Sequence, residues 1–161
     1  MRRLASALFA VASLAAAPLA AQTHPDFSGK WELDPKSVEG APNGMGPVSL
    51  TLTVTQDAKT IKVVQAAKTP MGDQESTTAY NVDGSESKNT LSNGGMSVEL
   101  VSTGAWEGPV LVVTTKGDIQ GQTLTTTERW SLDAGGKTLR LQRDLSMMGQ
   151  GYSLKLAFNK Q

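Results

Sequence analysis

A period of two in the apolar residues constrains this chain more than anything else in it. Val48, Leu50, Leu52 and Val54 alternate with Ser49, Thr51, Thr53 and Thr55. Successive side chains of an extended strand point to opposite faces, so this segment reads as a strand with one face buried and one wet. The alternation returns in Leu139, Leu141, Arg143 and Leu145, and again in Tyr152, Leu154, Leu156 and Phe158. No stretch keeps a helical spacing. Turn chemistry punctuates the chain at Asp57-Ala58-Lys59, Asp83-Gly84, Asn93-Gly94-Gly95, Gly117-Asp118 and Gly135-Gly136. The pattern predicts ten strands, near residues 27–33, 48–56, 60–67, 75–82, 85–91, 96–103, 109–115, 121–132, 138–145 and 152–159. Short strands joined by short turns make an all-β fold, expected as an antiparallel up-and-down β-barrel of about 8–10 strands. A β-sandwich is the alternative, because Ile61 to Val64 and Val110 to Val113 are apolar on both parities.

The N-terminus has the three parts of a cleavable secretory signal. Arg2 and Arg3 supply positive charge, Leu4 to Ala17 form a short alanine-rich apolar stretch, and Ala20-Ala21 offer small residues for cleavage. Residues 1–21 are therefore expected to be a signal peptide and residues 22–161 a single periplasmic or secreted domain. The apolar stretch falls short of the roughly 20 strongly apolar residues of a membrane span. A domain of this length buries roughly two-thirds of its unfolded surface, enough for a core without disulfides, and the chain has no cysteine. Setting Arg2 and Arg3 aside from the 15 basic residues leaves 13 against 15 acidic ones, no electrostatic footprint for nucleic acid. Aromatic residues make up 5% of the chain, too few for the two girdles of a membrane-spanning barrel.

One register follows from the sequence. A turn at Gly135-Gly136 sets Leu132 against Leu139, Trp130 against Leu141 and Glu128 against Arg143, with every apolar partner on one face. A charge pair thus stands on a face of leucine and tryptophan. Facing inward, neither charge is tolerable alone. The pair then either satisfies itself and fixes register, or frees Arg143 as a fork for a ligand carboxylate with Tyr152 assisting. Facing outward, the same face would need a protein partner to cover it. The expected inner wall draws on Val48, Leu50, Leu52, Trp130, Leu141, Leu154 and Leu156.

The methionines Met45, Met71, Met96, Met147 and Met148 all fall in or beside glycine-containing connections. If ten strands alternate up and down, all five ring one end, expected to be the end with the longer loops. Pliable thioethers there suit a mouth for variable apolar ligands, or else simply fill loops at the end of the core. No Met-x-Met or paired-histidine spacing supports a thioether copper site, and no metal or cofactor is expected. Catalysis has little to draw on. No cysteine is present, and the single histidine, His24, precedes Pro25 close to the expected mature start, where a disordered residue is expected.

Asp26-Phe27-Ser28-Gly29-Lys30-Trp31-Glu32-Leu33-Asp34 contains a Gly-x-Trp tripeptide of the form that opens the first strand in lipocalins. Together with Asp34-Pro35-Lys36-Ser37, Asn81-Val82-Asp83-Gly84, Trp106-Glu107-Gly108 and Glu128-Arg129-Trp130-Ser131-Leu132, it resembles a family of exported bacterial lipocalin-like β-barrel proteins, largely uncharacterised, over nearly the whole chain after residue 21. The resemblance implies the barrel and an exported location, and no catalytic residues. It also implies a basic residue late in the last strand, packed across the first-strand tryptophan; Lys155 is the candidate, although it lies on the face opposite Tyr152 and Leu154. The expected function is binding of a small apolar or amphipathic ligand inside the barrel. The alternative is a non-enzymatic envelope module with a filled core and a protein partner.

Overall fold

The computed structural model describes residues 24–41, 49–69, 72–93, 96–147 and 149–161. Ten strands run in chain order: β1 (Gly29–Leu33), β2 (Ser49–Gln56), β3 (Thr60–Thr69), β4 (Gly72–Asn81), β5 (Glu86–Asn93), β6 (Met96–Glu107), β7 (Val110–Ile119), β8 (Gln122–Leu132), β9 (Thr138–Met147) and β10 (Gln150–Lys160). They form one antiparallel sheet in the order β4-β3-β2-β1-β10-β9-β8-β7-β6-β5. A single ten-stranded sheet curled into a nearly closed barrel replaces the sandwich alternative. Every neighbouring pair is a chain neighbour except β1 with β10, which closes the meander.

The two segments with apolar residues on both parities are resolved by this closure. Ile61 and Val63 on β3, and Leu111 and Val113 on β7, are buried inside the barrel. Their neighbours Val64, Val110 and Val112 are half-buried on the outer face. The predicted hairpin register holds throughout: Leu132 pairs with Leu139, Trp130 with Leu141, and Glu128 with Arg143. Asp133 fixes that turn, its carboxylate accepting the Lys137 amide at 2.9 Å and the Thr138 amide at 3.1 Å.

The seam between β4 and β5 has no backbone ladder and is bridged by side chains. Asn89 accepts the Ala79 amide at 2.7 Å and donates to the Ala79 carbonyl at 3.0 Å, while Asn81 donates to the Glu86 carbonyl at 2.9 Å. An asparagine side chain carries the same donor and acceptor as a peptide group, so it stands in for the missing rung.

At one end the barrel is plugged. The segment before β1 crosses the opening and places Phe27, fully buried, beneath Trp106 and Trp130. Gln56 clamps it, accepting the Phe27 amide and donating to the Pro25 carbonyl, both at 2.9 Å. Trp31 adds a bond from Nε1 to the Phe27 carbonyl at 2.8 Å. Gly29 lets the chain turn from plug to strand, at a φ of 137° that side chains rarely adopt. His24, expected to be disordered, stacks on Trp106 with ring centroids 4.3 Å apart.

The basic residue over the first-strand tryptophan is Lys160, not Lys155. Its Nζ lies 5.1 Å from the Trp31 ring centroid, and the two residues are register partners. Lys155 points outward and pairs with Glu39 at 3.3 Å, where the chain after β1 continues along β10. The alternation predicts a last strand only as far as residue 159, one position short of this contact.

The expected long-loop end is also corrected. Of the connections at the end where β1 finishes and β2 begins, only the first is long. β3, β5, β7 and β9 run on beyond their expected limits, so two residues separate each from its successor. Met96 begins β6 and Met147 ends β9 at this end. Their side chains, and the whole of Met45, Met71, Met148 and Val48, lie outside the described residues.

Candidate functional site: an amphipathic cavity on a buried ion pair

The interior is divided along its length. Toward the plug it is filled by Phe27, Trp31, Val54, Ile61, Leu111, Val113 and Leu139. Toward the other end a cavity of about 320 Å³ remains, lined from every strand but β1. The barrel leaves this space because the inward residues of β4, β7 and β8 there are Ser76, Thr78, Thr115 and Thr126, too small to meet across it. Leucines supply the apolar part of the wall, among them Leu50, Leu52, Leu141 and Leu156. Leu91, 37% exposed, marks where the wall meets solvent beside the β4–β5 seam.

Glu128 and Arg143 sit between the filled half and the cavity. Arg143 donates from Nε to Glu128 Oε1 at 2.6 Å, and Nη2 stands at the same distance from the same oxygen. The other oxygen, Oε2, accepts Trp130 Nε1 at 2.9 Å. The Glu128 side chain is 8% exposed and that of Arg143 30%. The carboxylate is thus turned into protein while the guanidinium faces the cavity. Glu128 raises the Arg143 pKa above its ordinary value against the opposing effect of burial, so the guanidinium stays charged.

Tyr80 completes the polar belt. Burial, and secondly the Glu128 charge, push its phenol well above its ordinary range, so it remains protonated. Deeper in the wall, Ser102 Oγ and Thr115 Oγ1 share a hydrogen bond of 2.8 Å. No buried side-chain nitrogen or oxygen among the described residues lacks a hydrogen-bond partner.

Of the residues expected at a site, Glu128, Trp130, Leu141 and Arg143 come together on the cavity wall. Leu154 is half-buried and packs against the core without lining the cavity. Tyr152 is 43% exposed, on a shallow depression with Leu145, Asp144 and Ser153. Tyr80, Thr78, Ser76, Gln74 and Gln65 also line the cavity, and the strand pattern does not point to them. Along β4 the inward Gln74, Ser76 and Thr78 alternate with outward Asp73, Glu75 and Thr77, polar against polar, so alternation has no contrast to read. Register could have found them, because Ile61 pairs with Tyr80 and Val63 with Thr78, which carries the inward parity of β3 across the hairpin.

The fold and cavity define a lipocalin-like barrel with an internal amphipathic chamber. No protein-family model matches the chain, and no curated protein matches it. Among solved structures it is similar to zebrafish ileal bile acid-binding protein in complex with cholic acid, at 18% identity and a TM-score of 0.58, over 84% of this chain and 98% of that one. It is also similar to two proteins of Ramazzottius varieornatus. One is a secretory abundant heat soluble protein, at 10% identity and a TM-score of 0.52, over 87% of this chain and 98% of that one. The other is secretory abundant heat soluble protein 4, at 19% identity and a TM-score of 0.52, over 88% and 99%. At these identities the likeness establishes the fold.

Proposed function

We propose that this protein binds a small apolar or amphipathic molecule inside its barrel, as an exported protein of the periplasm or the medium. The observation that carries the reading is the cavity itself, which lies at the low end of the range for small-molecule sites and combines an apolar wall with a few convergent polar groups. A barrel serving only as an interaction module has no reason to leave such a chamber, since filling it with larger side chains would add stability. The bile acid-binding neighbour, which shares the fold, is complexed with cholic acid, in keeping with a small amphipathic ligand here. Arg143 is the polar anchor in the proposal, with Trp130, Leu141 and Glu128 as its wall. Leu154 and Tyr152 flank it on β10. Met45, Met71, Met96, Met147 and Met148 belong to the entrance by their places in the sequence. Export rests on residues 1–21, whose composition is that of a secretory signal.

Native mass spectrometry on protein purified gently from its own cell envelope tests both parts. The expected result is a chain beginning at Gln22, carrying a near-stoichiometric adduct that denaturing extraction releases. Loss of the adduct in an Arg143→Ala protein that keeps the wild-type circular dichroism, or in Glu128→Gln with Arg143→Met, identifies the anchor. A clean apo mass, with no uptake of fluorescent apolar probes by the folded protein, overturns the binding reading and leaves an interaction module.

A further inference from the structure

The charge arrangement on the cavity wall says what kind of head group the chamber accepts. Among the described residues, the ionisable side chains that line it are Glu128, Arg143 and Tyr80. The first two cancel, and the third is a buried phenol held protonated by its surroundings. The chamber is therefore electrically neutral before any ligand enters. An incoming carboxylate would set two negative charges against one guanidinium, so the desolvation of that second anion would lack a counter-ion of its own.

At the ion pair itself, hydrogen-bonding capacity favours donation, although the hydroxyls and amides of Ser76, Thr78, Thr126, Gln65 and Gln74 elsewhere on the wall can also accept. Both Glu128 oxygens are engaged, one by Arg143 and one by Trp130, and the carboxylate is almost wholly covered. A guanidinium has five N–H donors, and contact with a single carboxylate oxygen through Nε and Nη2 cannot use them all. Its partial exposure is toward the cavity, so donors are offered there while the nearby acceptor is spent. A group that only accepts, and brings no charge, fits both conditions.

We infer that the chamber selects a neutral carbonyl, such as an ester or ketone, on an apolar chain, and discriminates against the corresponding carboxylate. Glu128 is then a specificity-determining residue: by occupying Arg143 it converts an anion site into a site for an uncharged acceptor. This rests on the reading that the cavity binds a ligand.

Methyl decanoate and decanoate share a chain and differ in head-group charge at neutral pH. Their affinities are measured by displacement of a fluorescent apolar probe from the full mature chain and from Glu128→Gln, which keeps an acceptor for Trp130 and removes the negative charge. Wild type should prefer the ester. An apolar cavity of any kind would do the same, so the deciding quantity is the change in the ratio. Glu128→Gln should raise decanoate affinity relative to the ester by about tenfold or more, as expected when a guanidinium loses its own buried counter-ion. An unchanged ratio, or a wild type that prefers decanoate, overturns the inference.

A second measurement needs no variant. The carbonyl stretch of wild-type-bound methyl decanoate should fall below its frequency in a hydrocarbon solvent, because the guanidinium donates to it. An unshifted band overturns the inference even if Glu128→Gln does not fold. Failure of both compounds to displace the probe, with no uptake of the probe itself, is a different result: it removes the ligand-binding reading altogether.

Discussion

The side chain of Asn89 grips the backbone of Ala79 from both sides, accepting its amide at 2.7 Å and donating to its carbonyl at 3.0 Å. One residue of β5 thereby supplies what a paired strand supplies elsewhere in the sheet, at the only junction where neighbouring strands of the described barrel lack a ladder. Without it, the β4 edge would present unpaired peptide groups to solvent or to another chain.

Asn89→Ala should therefore loosen the seam before it unfolds the barrel. Loss of two hydrogen bonds to backbone should cost about 1–2 kcal/mol in urea denaturation. Hydrogen exchange at the Ala79 amide should accelerate well beyond that of amides in β8 and β9, whose ladders are intact. Equal acceleration throughout would show that the seam does not open separately.

Breaking the interior ion pair from one side should be worse than removing it whole. Glu128→Ala leaves the Arg143 guanidinium and the Trp130 indole without their partner, and should destabilise the protein by about 3 kcal/mol or more. The double substitution Glu128→Gln with Arg143→Met keeps volume and the indole acceptor, and should recover most of that loss. A double change at least as damaging as Glu128→Ala would show that the pair contributes net stability rather than mutual compensation.

Phe27→Ala should unseat the plug. Phe27 is fully buried between Trp106 and Trp130, and deletion of a buried phenyl ring costs about 3–5 kcal/mol. Tryptophan emission should shift to longer wavelength as water reaches Trp106. Unchanged stability and emission would mean that the core closes over the gap.

Acid should weaken the turns. Asp57 takes the amides of Lys59 and Thr60, and Asp133 takes those of Thr138 and Lys137; these hydrogen bonds hold both carboxyls below their ordinary value of 3.8. A depressed folded value means stability that is fully present above 3.8 and lost as pH falls through the lower folded value. The urea midpoint should fall as pH drops below about 4, and the double variant Asp57→Asn with Asp133→Asn should fall less steeply. Parallel curves for the two proteins would assign the acid loss to other groups.

Much of this fold was legible because strand alternation and turn chemistry are local. All ten strands and the β8–β9 register could be read from residues within a few positions of one another. The Glu128–Arg143 pair followed from that register, since cross-strand neighbours depend only on the length of one turn. The rest of the site did not. Gln74, Ser76 and Thr78 alternate with polar residues, and only the ladder to β3 reveals which of them face inward. Lys160 reaches Trp31 because β1 and β10 close the barrel, a contact between opposite ends of the chain.

By itself, then, the sequence determined the number of strands, their antiparallel order of succession, and the placing of a charge pair on an apolar face. These depend on steric periodicity and on turn conformations that a few neighbouring residues dictate. The tertiary structure alone decided that the sheet closes through an asparagine, that Phe27 and His24 cap one end, and that a chamber survives beside Arg143. Closure and cavity volume are sums over side chains from nine strands, and no local pattern carries a sum. Whether small residues such as Thr78, Thr115 and Thr126 leave space or pack it shut depends on what stands opposite them, which only the curvature of the whole barrel sets.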